Sequence, residues 1–348
     1  SLLSTTMKAI TANESLPVND KNCFQAANIE KPIASGQDIL VRVNAVSVNP
    51  VDIKMRLKPK TVSTLDTILG WDASGVVVAV GEDVTLFNVG DTVFYAGDIT
   101  RAGSNCEYQL VDQRIAGRKP EALNFEEAAA MPLTSITAWE ALFERLGVEK
   151  SSRNKSEKSI LIIGGAGGVG SIAIQLAKKI ARLTTIATAS RDESKTWCLE
   201  MGADHIINHH MDLADQLKQL GIQGCDYILC CNDTDQHFDN MTKAVKAQGR
   251  ICSIVDNKSP LPMEKLKPKS ASFSWEFMFT RSMFQTDDMV KQHQILSSIA
   301  QYIDQGVLQS TIRQTLSPIN TSNLRMAHGI IEQGNMIGKL AIKDWQEQ

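Results

Sequence analysis

No run of apolar residues in this 348-residue chain reaches the length of a membrane span, and no basic stretch leading into an apolar one stands near its start. A membrane partner and a secretory leader are therefore not expected. Clusters of Lys or Arg are also missing and the formal net charge is −3, which argues against nucleic acid as the main partner. The seven cysteines are scattered, only Cys230 and Cys231 being adjacent, so no disulfide framework is expected. Reduced thiols and a cytoplasmic location fit that spacing best. Internal repeats and low-complexity tracts are absent too.

What is present is the composition of an ordinary globular protein, 43% hydrophobic and 22% charged. The length favours two domains. Ser1 to Thr6 precede a Met-Lys-Ala-Ile start at Met7 and are set aside as an expected expression remnant. The first third reads as β-rich: Asp38–Ser47 alternates, Gly75–Val80 is β-branched, and Gly90–Tyr95 and Glu107–Val111 repeat a turn-then-strand pattern. That spacing suggests a barrel-like antiparallel unit. From Phe125 the period becomes helical, through Met131 and then from Ser135 to Arg145, with Pro132 between. Beyond a polar stretch, Ser151–Lys158, strand-like and helix-like segments alternate as far as Val255, the pattern of a parallel sheet with helices on both faces. Pro260, Pro262 and Pro268 punctuate the next segment, an amphipathic helix is expected from about Asp287 to Gln305, and the tail to Ile342 is expected to return to the first domain.

The run Gly164-Gly165-Ala166-Gly167-Gly168-Val169-Gly170 follows the apolar stretch Ser159–Ile163 and opens into a helical pattern from Ser171. Gly165, Gly167 and Gly170 stand in G-x-G-x-x-G register, and the strand before and helix after supply the context of a dinucleotide fingerprint. The alternative is a glycine-rich turn with no ligand. In NAD sites an acidic residue ends the second strand and holds the ribose hydroxyls. Here that strand runs into Ser190-Arg191, with Lys195 one helical turn further. A hydroxyl, a guanidinium and an ammonium suit a 2′-phosphate, so NADP(H) is the expected cofactor. Asn232 and Val255, at the ends of later strands, are further cofactor candidates.

Asn49-Pro50-Val51-Asp52, Gly70–Gly75 with Gly81, Leu133–Trp139 and the Gly164–Gly170 loop occur in an order that resembles the medium-chain dehydrogenases/reductases. The chain looks like their quinone oxidoreductase branch, particularly the bacterial "zinc-type alcohol dehydrogenase-like" subgroup. The resemblance implies an α/β protein: a GroES-like β-rich substrate domain over 1–131, a Rossmann doubly wound domain over 132–285, and a return over 286–348. It also implies an active-site cleft between the domains and a homodimer.

Zinc-containing relatives place a Cys, a His-Glu pair and a second Cys or His where this chain has Asn49, Trp71-Asp72 and about Leu133. An amide, an indole and an aliphatic chain do not make a zinc site, and Cys106 stands alone where a structural zinc lobe needs four thiolates. His205 and His209 are four apart, but on a strand-like segment. No metal is expected. Without that Lewis acid, the resemblance implies NADPH-dependent hydride transfer to a quinone or an α,β-unsaturated carbonyl, whose developing charge hydrogen-bond donors can hold. Candidate donors are Asn49, Thr134 and Tyr95, against the readings of a turn residue, a helix cap and a buried strand tyrosine. A short-chain dehydrogenase is excluded, because none of the four tyrosines has a Lys four residues on. Two alternatives stay open: a non-enzymatic NADPH-binding structural or sensing protein, and an alcohol/aldehyde oxidoreductase.

Overall fold

A computed structural model describes residues 5–60, 66–150 and 155–346. The set-aside residues 1–4, and 151–154 of the expected polar stretch, lie outside the described residues. Thr6 does not: it opens β1 (Thr6–Thr11), which pairs antiparallel with β2 (Gln25–Glu30).

The chain then runs through β3 (Asp38–Ser47), α1 (Pro50–Leu57), β4 (Ala73–Val80), β5 (Thr92–Tyr95), β6 (Tyr108–Asp112) and β7 (Ala116–Arg118). Two helices follow, α2 (Phe125–Ala129) and α3 (Pro132–Trp139), the latter prolonged by a π-helical turn over Glu140–Arg145. Asn124 starts α2 through a capping box: its side chain accepts from Glu127 N at 2.9 Å while the Glu127 carboxylate accepts from Asn124 N at 3.1 Å. Pro132 breaks α2 from α3 and then serves as the first residue of α3, where its missing N–H costs nothing.

Next come β8 (Ser159–Ile163), α4 (Gly168–Gln175), β9 (Thr184–Thr188), α5 (Asp192–Met201), β10 (His205–Ile207), α6 (Leu213–Gln219), β11 (Cys225–Cys230), α7 (Thr234–Ala244), β12 (Val245–Ser253) and β13 (Ser272–Trp275). The chain ends with α8 (Thr280–Met283), α9 (Val290–Asp304), β14 (Ile312–Leu316), α10 (Thr321–Glu332) and β15 (Lys339–Lys343).

These elements form two compact units, one of Ser1–Leu133 with Phe279–Gln348 and one of Thr134–Met278. In the first, a seven-stranded sheet of order β14-β15-β3-β4-β5-β7 carries β6 as an extra partner of β3. All its pairings are antiparallel except β14 with β15. In the second, six parallel strands run in the order β10-β9-β8-β11-β12-β13. The order reverses at β8, the topological switch point outside which open α/β sheets bind nucleotides. Leu161, Ile163, Ile186, Ile228 and Ile251 from these strands pack with Phe238 and Met241 of α7 in one core. The expected combination of an antiparallel β-rich domain and a doubly wound parallel sheet is thus what the chain adopts. Among the described residues no helix is long and apolar enough to cross a membrane.

Candidate functional site

The glycine turn sits at the switch point, between β8 and α4. Its three fingerprint glycines differ in what confines them. A Cβ on Gly165 would stand 2.8 Å from Ala187 Cβ and 3.0 Å from Cys198 Sγ, so close packing of strand and helix requires the bare backbone. A Cβ on Gly170 would lie 2.3 Å from the Gly164 carbonyl oxygen. Gly167 has an ordinary φ of −71°, and a Cβ there would meet nothing nearer than that same oxygen at 3.7 Å. Nothing in the fold's packing demands glycine at 167. A phosphate resting on the α4 N-terminus does demand it, because the second glycine of such loops lets the backbone approach pyrophosphate. The loop therefore fits a dinucleotide.

The rest of the expected cofactor set lies along the same edge of the parallel sheet. Gly168 and Val169 form the first turn of α4, and the Ala166 carbonyl accepts a long hydrogen bond from Ser171 Oγ at 3.4 Å. Thr188, the last residue of β9, accepts from Gly164 N through its hydroxyl at 2.9 Å and from Gly165 N through its carbonyl at 3.1 Å. Ser190 is half-buried just beyond, Arg191 is exposed at the N-cap of α5, and Lys195 is half-buried in that helix. Asn232 follows β11, its Cβ 3.1 Å from where a Cβ of Gly164 would stand. Val255 lies past the end of β12, its carbonyl accepting from Thr234 Oγ1 at 2.5 Å.

The first unit holds a buried polar cluster. Asn49 is the N-cap of α1, 2% exposed, and its backbone N–H donates to the Asp52 carboxylate at 2.8 Å. Its side chain is held at both ends: Nδ2 donates to Asp72 Oδ2 at 2.8 Å, and Oδ1 accepts from Lys339 Nζ at 2.5 Å. Lys339, the first residue of β15, also reaches the Val48 carbonyl at 3.2 Å and Asp72 Oδ2 at 3.3 Å. The other Asp72 oxygen accepts from Leu133 N at 2.8 Å. Burial dominates the electrostatics. It raises the Asp52 carboxyl to about 7 and Asp72 to about 6, the latter less because the Lys339 ammonium and the Asn49 amide stabilise its charge. The same burial lowers Lys339, against the pull of Asp72.

Tyr95 is fully buried on β5, and its hydroxyl donates to Gln109 Oε1 at 2.7 Å. Thr134 is a buried residue of α3 in the second unit. Trp71 is buried, with Nε1 donating to the Asp98 carbonyl at 3.3 Å and its ring edge-on to Phe279 at 6.4 Å between centroids. Lys339 is the cluster member that motif reasoning missed. Its signal was a cation opening the apolar run Leu340-Ala341-Ile342, a burial that calls for a counter-charge.

Comparison with known proteins gives the chain its relatives. Residues 35–132 match the family described as alcohol dehydrogenase GroES-like domain, and residues 201–342 the family described as zinc-binding dehydrogenase. A zinc-type alcohol dehydrogenase-like protein of Staphylococcus epidermidis is 43% identical over 336 residues, 97% of this chain and 99% of that protein. The 2-methylene-furan-3-one reductase of Solanum lycopersicum is 29% identical over 326 residues, 91% of this chain and 74% of that one. Among solved structures, the quinone oxidoreductase from Coxiella burnetii superposes with a TM-score of 0.77 at 26% identity, covering 97% and 99% of the two chains.

The matched family's description implies zinc, but the residues do not fit it. The positions of the expected ligands carry an amide committed to Asp72 and Lys339, a buried indole, the Asp72 carboxylate already taken by Asn49, Lys339 and Leu133 N, and Leu133. An ammonium already occupies the place of a cation beside Asp72. Among the described residues no three His, Cys, Asp or Glu side chains group to hold a metal.

Proposed function

The chain belongs to the medium-chain dehydrogenase/reductase superfamily and is an oxidoreductase of that type, and on that premise we propose that it uses NADPH to reduce a quinone or an α,β-unsaturated carbonyl without a metal. The observation carrying this reading is the closed network in which Lys339 ties together Asn49 and Asp72, two of the positions where the resemblance places the ligands of zinc-containing relatives. A site without a Lewis acid is poorly suited to stabilising an alkoxide. It suits a substrate whose own conjugation spreads the developing charge onto a carbonyl oxygen. The names of the tomato reductase and the Coxiella oxidoreductase point the same way.

The chemistry supplied by a bound reduced nicotinamide is hydride donation. In this proposal Gly165, Ala166, Gly167, Gly168, Val169 and Gly170 seat the pyrophosphate, Asn232 and Val255 border the nucleotide, and Ser190, Arg191 and Lys195 receive the 2′-phosphate as charge-assisted donors. Asn49 gives one amide proton to Asp72 and retains the other, which is proposed to donate to the substrate carbonyl oxygen as charge develops there. Asp72 and Lys339 hold that amide in one orientation. Tyr95, whose proton is taken by Gln109, is given no part in the reaction.

The test is steady-state oxidation of NADPH and NADH by a panel of quinones and enones, with wild type and Arg191→Ala. Wild type is expected to turn over with NADPH preferred. The variant is expected to lose roughly tenfold of that preference, the worth of one charge-assisted contact. An unchanged cofactor preference in Arg191→Ala overturns the NADP(H) assignment. Tight NADPH binding without turnover on any acceptor would favour the binding-protein alternative.

A further inference from the structure

Helix α1 carries Asn49 at its N-cap, and its other end holds a second set of buried polar groups that the function above leaves unused. The buried residues of α1 are Asp52 and Arg56, four apart and therefore on one face. A surface helix ordinarily turns apolar side chains inward; this one turns a carboxyl and a guanidinium. Asp52 is engaged at the N-terminus, where it accepts from Asn49 N. Arg56 is fully buried and reaches α10 instead.

Its guanidinium is held on three sides. Nη1 lies 2.7 Å from His328 Nδ1, Nη2 donates to Glu332 Oε1 at 2.7 Å, and Nε donates to the Leu16 carbonyl at 3.3 Å. A guanidinium only donates, so His328 Nδ1 accepts and the neutral ring carries its proton on Nε2. Burial, with Arg56 beside it, pushes His328 down to about 3, in keeping with a neutral ring. His328 is itself fully buried, edge-on to Phe24 at 4.7 Å between centroids, and its Nε2 has no hydrogen-bond partner. An orphaned buried N–H is destabilising, and a buried ion pair is often worth no more than apolar packing of the same volume. Stability alone is therefore a poor reason for this arrangement.

What it does achieve is a second attachment of α1 to one stretch of chain. Helix α10 leads into β15, whose first residue, Lys339, donates to Asn49 Oδ1 at 2.5 Å. At the opposite end of α1, Arg56 grips His328 and Glu332 of α10. One attachment would let the helix pivot about Lys339. Two fix its axis, and with it the direction of the amide at its N-cap. All of these residues belong to the first unit. Such precision matters at a reacting atom, where a misplacement of about 1 Å can cost roughly a hundredfold in rate.

We propose that Arg56 is a positioning residue for the reaction: by seating the C-terminal end of α1 on α10, it holds the free Asn49 amide proton toward the substrate carbonyl oxygen. The proposal rests on the donor role given to Asn49 above.

The experiment is a double-mutant cycle on the full chain, Arg56→Met with Asn49→Ala. It is read as kcat, KM and NADPH Kd, with cyclohexenone as acceptor, or menadione should quinones alone be reduced. Asn49→Ala is expected to lower kcat roughly a hundredfold, as loss of one donor to a developing oxyanion does. Arg56→Met is expected to lower kcat roughly tenfold or more while NADPH Kd is unchanged. In the Asn49→Ala background there is no amide to misplace, and the same substitution should leave kcat as it is. An Arg56 that merely stabilises would lower kcat by one factor in both backgrounds, or in neither; either result overturns the proposal. A second readout needs no turnover. With asparagine selectively isotope-labelled, and the Asn49 signals assigned by their loss in Asn49→Ala, the nuclear magnetic resonance signals of its side-chain amide should shift in Arg56→Met. Unmoved Asn49 signals overturn the proposal and leave the donor role of Asn49 standing. If Asn49→Ala keeps full kcat, that donor role fails and the proposal fails with it. Should Arg56→Met not fold, Arg56→Lys replaces it: an ammonium keeps the charge but cannot span both partners, and the same outcomes decide.

Discussion

At the scale of single residues, the polar cluster of Asn49, Asp52, Asp72 and Lys339 is costly to assemble. Two carboxyls and one ammonium are all but removed from water, and burial outweighs their mutual attraction, as the raised carboxyl values show. Such a network is retained when it holds a side chain in place, here the Asn49 amide. Removing Lys339 leaves two buried carboxylates without their cation. Lys339→Met is expected to cost about 3–5 kcal/mol of stability. The loss should be larger at pH 8 than at pH 5, because the unpaired carboxyls take up protons at the lower pH. Denaturant unfolding at the two pH values checks this; an equal loss at both would show that the ammonium does not face ionised carboxyls. A second expectation concerns Asp52 alone. Its folded value of about 7 lies above the ordinary 3.8, so the folded state holds the extra proton and stability falls as pH rises between the two. Asp52→Asn keeps an acceptor for Asn49 N–H and removes the titration. Its melting temperature relative to wild type is expected to improve from pH 5 to pH 8, and a constant difference across that range would count against the raised value.

At the scale of elements, the glycine turn separates the needs of the fold from those of a ligand. Gly165→Ala forces a methyl group against Ala187 and Cys198, and Gly170→Ala forces one against a backbone carbonyl. Each is expected to cost about 1–3 kcal/mol in unfolding experiments, as overpacking does, with Gly170→Ala the worse. Gly167→Ala makes only an ordinary van der Waals contact and should leave the melting temperature unchanged, while its NADPH Kd rises roughly tenfold or more. Unchanged affinity in that variant would remove the loop from the cofactor site. This turn was legible in the sequence because its glycines are flanked by a buried apolar strand and a helical pattern. Strands β8 to β11 were legible for the same reason, their apolar runs lying between turn residues. Other features were not. The strand legible at Arg250–Val255 is the later part of β12, which starts at Val245 within a stretch that reads as helical, since Val245-Lys246-Ala247 carries no turn signal before Gly249. β13 is four residues in a polar segment, with exposed Trp275 at its end, and gains its conformation from pairing with β12 rather than from its own pattern. Asn49-Pro50 reads as a turn, yet it is the cap and first residue of α1, because Asp52 three residues on closes the N-terminus.

At the scale of the molecule, the two units carry different parts of the argument about function. The parallel sheet and its glycine turn follow from local signals and carry the proposed nucleotide site. The polar cluster does not follow from local signals: Asn49 and Lys339 are 290 residues apart, and only the return of β15 to pair with β3 brings them together. The resemblance therefore implied that zinc ligands are replaced, but not that a lysine ammonium ties Asn49 to Asp72. On the function proposed above, that difference separates a site that has merely lost its metal from one rebuilt to work without it. A rebuilt site has no use for added zinc, since a divalent cation would have to displace a buried ammonium from Asn49 and Asp72. Elemental analysis of the purified protein is accordingly expected to find far less than one zinc per chain. Prolonged dialysis against a chelator should leave both melting temperature and NADPH-dependent turnover unchanged, and added zinc should not raise either. Stoichiometric zinc that survives dialysis, or turnover lost with the chelator and restored by zinc, would mean that the Lys339 network is not the working form of the site.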